Sequence, residues 1–314
     1  MATKKATSAK KTAAKKTATK KVVAKKSVAP AKTTAGSAKA KGGYNIKPSA
    51  LIAEFFGTFL LAGAATVFLN KGIEYMLAII ALVVIFAVLS GAHFNPAITF
   101  AAWLNKKINL PKAGLFIVAQ LLGAALAFFA IQGFTNEQNA TYAEDGSRSV
   151  ATLQGKLLEQ GITQEQLDEA GGAEAWLETG GYNISDISKQ LGIATQYKVP
   201  ALESHKELFA FWAELIGSII LGLGAGFALL KAKKPVIRGI AYGGAVMVAL
   251  ALVGGTAVLN PAVAFSLGGY TASVWPYIIY ILAPIIGITI GFSLYNVILK
   301  DSGCDGDEDC TCNG

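Results

Sequence analysis

The sequence predicts an all-α membrane protein with six transmembrane helices and two re-entrant half-helices, arranged as an inverted repeat. Three observations predict it. Hydrophobic residues fill 53% of the 314 positions and charged residues only 15%, too little charge to cover a soluble domain of this length. Six apolar stretches of roughly 17–25 residues are each long enough to cross a hydrocarbon core of about 30 Å. Two shorter apolar segments cannot span, and both begin with Asn-Pro-Ala at corresponding places in two halves that resemble each other.

The chain opens on a segment unlike the rest. Residues 1–47 are almost entirely Lys, Ala, Thr, Ser and Val; they hold 14 of the 28 basic residues and no acid. The remainder carries 14 basic against 20 acidic residues, a balance of −6, so the net charge of +8 belongs to this tail. It repels itself and has little to bury, which predicts disorder. It resembles the lysine-rich tails of linker histones, and its charge suits anionic lipid headgroups or nucleic acid. No apolar core follows its lysines for more than forty residues, so a secretory leader is not expected.

The spans are expected near 49–69, 75–92, 111–134, 207–230, 236–254 and 275–299, with short apolar segments near 94–104 and 259–269. These boundaries divide the chain into the tail 1–47, a first repeat 48–134, an inserted loop 135–206, a second repeat 207–300 and a tail 301–314. The connections at 105–112 and 231–238 carry Lys106, Lys107, Lys112, Lys231, Lys233, Lys234 and Arg238 with no acid. The connection at 135–207 holds five basic and twelve acidic residues. Basic short loops stay in the cytoplasm, so both termini are expected there and the acidic loop outside. Within that loop, Thr163 followed by Gln166 reads as a helix start and Gly171-Gly172 as a stop, with a second short helix from Ser185 to Leu191. Asn139-Ala-Thr141 and Asn183-Ile-Ser185 fit the glycosylation triplet.

Three spans per half is an odd number, so the second half inserts upside down relative to the first. Such repeats place their functional centre near the bilayer midplane, between the halves. Proline suits a first helical turn, where its missing N–H has no partner in any case. Asparagine before it is a favoured cap. Asn95-Pro96-Ala97 and Asn260-Pro261-Ala262 therefore each start a half-helix, and inversion points their positive ends at one another. A passage through that point repels cations, while the asparagine amides can donate to the oxygen of water or an alcohol. Glu54, in Ala53-Glu54-Phe55-Phe56-Gly57-Thr58, recurs as Glu214 in Ala213-Glu214-Leu215-Ile216-Gly217-Ser218. A carboxylate at this depth needs partners, and its recurrence with the repeat favours a brace for the re-entrant loops over a proton relay.

These residues carry a resemblance. The run Ser90-Gly91-Ala92-His93-Phe94-Asn95-Pro96-Ala97-Ile98-Thr99 resembles the first signature of the aquaporin and glycerol-facilitator (major intrinsic protein) family. The segments around Glu54, Ala119-Gln120-Leu121-Leu122-Gly123-Ala124 and Pro284-Ile285-Ile286-Gly287 resemble that family's first, third and sixth helices. The resemblance covers about 50–134 and 208–299. It implies a passive channel for small uncharged solutes, a homotetramer with one pore per subunit, no cofactor, and a place in the cell membrane. It also implies that Asn95 and Asn260 carry the central constriction, with His93 packing the loop. The second signature departs from the family, having Val263 where relatives carry the arginine of an outer selectivity filter. Counting from the asparagines, the other filter positions are Tyr75, Val248 and Ala257. An apolar ring without a fixed positive charge implies a pore less selective for water, open to glycerol, urea or a similar solute.

A secondary transporter also uses inverted repeats and broken helices, but here intramembrane charge is limited to Glu54 and Glu214. A membrane scaffold whose basic tail binds polyanions is the third reading. An enzyme is not expected, since the chain offers no nucleophile–base set, no phosphate loop and only two histidines, His93 and His205. Cys304, Cys310 and Cys312 lie in an acidic tail whose spacing fits no structural zinc pattern, and no metal site is expected.

Overall fold

The computed structural model describes residues 46–142, 148–193, 196–199, 202, 205–254 and 257–301. The two tails and their expected properties lie almost wholly outside that range. Five helices are long and apolar enough to cross a membrane: α1 (Pro48–Phe68), α4 (Leu110–Gln138), α9 (Glu207–Leu230), α10 (Pro235–Val253) and α12 (Trp275–Asp301). The sixth, α2 (Gly72–Phe86), has 15 residues, shorter than the span expected at 75–92. The backbone continues past it in turns, with Ser90 N–H donating to the Phe86 carbonyl and Gly91 N–H to that of Ala87. Gly91, at φ 101°, ends the winding, in a conformation open to glycine.

Between the spans lie the half-helices α3 (Pro96–Leu104) and α11 (Pro261–Ser266). Each packs against the third span of the opposite repeat, α3 on α12 and α11 on α4. Within a repeat the first and third spans approach closely at matching glycines. A Cβ on Gly123 would overlap the Phe55 carbonyl, and one on Gly287 would lie 2.6 Å from that of Leu215. Without water to drive association, such small-residue contacts let helix backbones pack in lipid. In α12, residues Ile278–Leu282 form a π-helical turn just before Pro284. Proline withholds a backbone donor there, and the Tyr280 carbonyl accepts the Tyr270 hydroxyl at 3.4 Å.

The loop after α4 opens on a short hairpin. Strands β1 (Ala140–Tyr142) and β2 (Arg148–Val150) pair antiparallel, and four seven-residue helices follow: α5 (Leu153–Glu159), α6 (Gln164–Ala170), α7 (Ala173–Thr179) and α8 (Ile184–Gln190). Thr163 and Gln166 form a reciprocal capping box on α6, which ends at left-handed Gly171, as the sequence signals anticipate. Leu157, Leu167 and Leu177 form a small separate core. Asn139, in the first glycosylation triplet, is buried at the end of α4. The chain returns through a strap: Tyr197 N–H donates to the Thr66 carbonyl of α1, and Val199 N–H to the Leu267 carbonyl that closes α11. The Val199 bond seats this strap against the end of the second half-helix, and burial and the Glu214 carboxylate push the Tyr197 phenol up from its ordinary pKa.

Candidate functional site

The two half-helices meet at their N-termini, and the asparagines perform the capping that their position before proline predicts. Asn95 Oδ1 accepts the Ala97 N–H at 2.9 Å. Asn260 Oδ1 accepts Ala262 N–H at 3.0 Å and Val263 N–H at 3.4 Å. Pro96, Ala97, Pro261 and Ala262 are buried in the first turns. The amide nitrogens reach across. Asn95 Nδ2 donates to the Leu259 carbonyl and Asn260 Nδ2 to the Phe94 carbonyl, both at 2.9 Å. Each loop thus supplies the acceptor for the other's asparagine.

Those carbonyls point across because Phe94 and Leu259 have positive φ, 49° and 62°. Such backbone is strained for residues with a Cβ and persists only where the surroundings hold it. Here the carboxylates hold it. Glu54 accepts His93 N–H at 3.0 Å and Phe94 N–H at 2.8 Å; Glu214 accepts Val258 N–H at 2.5 Å and Leu259 N–H at 2.9 Å. Gly57 and Gly217, one turn beyond each carboxylate, leave room for the strained side chains. A Cβ on Gly57 would overlap the Phe94 ring, and one on Gly217 would lie 2.7 Å from the Leu259 side chain.

The two halves differ in one respect. In the first, Gln120 Nε2 donates to Glu54 at 2.7 Å and to Thr99 Oγ1 at 2.9 Å, and Thr99 Oγ1 is 3.1 Å from His93 Nδ1. His93 is buried and rests edge-on against Phe116. In the second, the place of Gln120 is taken by Pro284 and that of Thr99 by Ala264, which supply no such bonds. Gln120 and Thr99 carry no local signal of these roles, because their partners come from other elements.

Among the positions assigned to the outer constriction, Tyr75, Ala257 and Val263 are buried, whereas Val248 is 45% exposed. At about 100° per residue, the buried Tyr242, Val246 and Leu250 share one face of α10, and Val248 lies on the opposite one. Counting back from Asn260 gives a distance along the chain but not a helix face, so the expectation for Val248 is set against a buried face that Tyr242, Val246 and Leu250 form. Tyr242, which the sequence reading missed, donates its hydroxyl to the His93 carbonyl at 3.3 Å. Its only sequence signal is a hydroxyl in the middle of an apolar span.

The chain is similar to known proteins in sequence and in fold. The family model described as Major intrinsic protein matches residues 45–165. The chain is 40% identical over 93 residues to glycerol uptake facilitator protein-like 6 of Lactiplantibacillus plantarum, covering 27% of this chain and 43% of that protein. It is 38% identical over 77 residues to aquaporin-B of Dictyostelium discoideum, covering 23% and 26%. The aligned stretch is thus less than half the length of these relatives. The fold is similar to that of the aquaglyceroporin from Plasmodium falciparum, with a TM-score of 0.50, 20% identity, and coverage of 80% of this chain and 96% of that one.

Proposed function

We propose that the chain belongs to the major intrinsic protein family, whose model matches residues 45–165, and that it forms a passive transmembrane channel for water and small uncharged solutes such as glycerol or urea. The observation that carries this reading is the crossed pair of asparagine amides at the meeting of two helix N-termini. Donors in fixed positions suit a passing oxygen, and two converging positive helix ends disfavour a cation. Glu54 and Glu214 act as braces, since each accepts two loop N–H groups, and His93 packs its loop. Tyr75, Ala257 and Val263 form the outer ring, with Leu250 taking the α10 position in place of Val248. That ring has no fixed positive charge. Assembly as a homotetramer in the cell membrane, with both termini cytoplasmic and the lysine tail held by anionic lipid or nucleic acid, completes the proposal.

Stopped-flow flux of water, glycerol and urea into proteoliposomes tests it. The wild type should exceed protein-free vesicles for water and at least one of the other solutes, without saturation or gradient coupling. Val263→Arg should lower glycerol and urea flux more than water flux. An unchanged solute preference would remove Val263 from the ring.

A further inference from the structure

The hydroxyl of Tyr242 lies against the first re-entrant loop, on the carbonyl two residues before Asn95. Tyr242 extends from the buried face of α10, is 4% exposed, and donates its hydroxyl to the His93 carbonyl, two residues before Asn95. The ring therefore reaches from α10 to the loop that presents Asn95, at the level where the half-helices meet. Neighbouring contacts fix it there. A Cβ on the next residue, Gly243, would lie 2.8 Å from the Met76 carbonyl of α2, so α10 is seated against α2 too closely to roll. Tyr75 projects from the buried face of α2 one residue away from that contact. At the other asparagine no side-chain hydroxyl holds an equivalent place among the described residues.

We propose that Tyr242 sets the size limit of the passage at its centre. Water fits beside the phenol ring, and a three-carbon polyol must displace the hydroxyl from the His93 carbonyl before it can reach the Asn95 amide. Selection by size then falls at the asparagines, inside the apolar outer ring. This deepens the channel reading and rests on it.

The test compares water and glycerol permeability of proteoliposomes holding equal amounts of folded wild type, Tyr242→Phe and Tyr242→Ala. Tyr242→Ala should raise glycerol permeability by about tenfold while water changes by less than about threefold. Tyr242→Phe keeps the ring but frees it from the His93 carbonyl, and should raise glycerol permeability by roughly twofold to threefold. Val248→Ala, on the opposite face, should change neither solute. A wild type that conducts water, with the same glycerol-to-water ratio in Tyr242→Ala, overturns this inference and leaves the channel reading intact. If neither wild type nor Tyr242→Ala conducts water above bare vesicles, both fall together.

Discussion

Glu54 and Glu214 occupy equivalent places in the repeat, yet they bear unequal loads. Removing Glu214 orphans two backbone donors, and a buried unsatisfied donor costs about 1–3 kcal/mol. Removing Glu54 orphans the same number and also takes an acceptor from Gln120. Glu54→Ala should therefore unfold at a lower temperature than Glu214→Ala, and both below wild type, when detergent-solubilised protein is heated and followed by tryptophan fluorescence. A Glu214→Ala protein that melts with the wild type would show that the second loop holds its shape unaided. The asparagine caps could be read from sequence because a cap acts on its own next turn, within two or three residues. Gln120 and Tyr242 could not, because each finds its partner in another element, and residue type alone does not name that partner.

At the level of elements, the two-residue separation of Val248 from Leu250 reverses what each faces. Trp at position 250 should abolish most water flux, whereas Trp at 248 should leave flux close to wild type, both read by stopped-flow light scattering. Equal effects would mean that α10 is rotated from the orientation described here. Five spans were legible to within about four residues, because a run of apolar residues longer than the hydrocarbon thickness has few other uses, whereas the second, expected at 75–92, winds only over Gly72–Phe86. The face each span turns inward was less legible, since all faces of a lipid-embedded helix are apolar and periodicity carries little signal. Where small residues mark a crossing the face is fixed more plainly. Gly123→Val should force α1 away from α4 and sharply lower the yield of folded protein on size-exclusion chromatography, because the clash is with backbone.

The whole molecule places its least channel-like part, the four short helices around Leu157, Leu167 and Leu177, between the two repeats. Nothing in the channel signatures announces this part, whereas its caps and glycine stops are local and readable. All three cysteines fall within the last eleven residues, which makes orientation directly testable. In cells, a membrane-impermeant maleimide should label Cys304, Cys310 and Cys312 only after permeabilisation, and labelling of intact cells would invert the topology proposed from the lysine loops. The crossed asparagine bonds also bear on how such a conduit responds to perturbation. Each re-entrant loop is a ligand of the other, so shifting either one withdraws an acceptor from its counterpart across the midplane. The two loops consequently behave as one mechanical body, and a disturbance beginning in either repeat is passed to the other through these bonds.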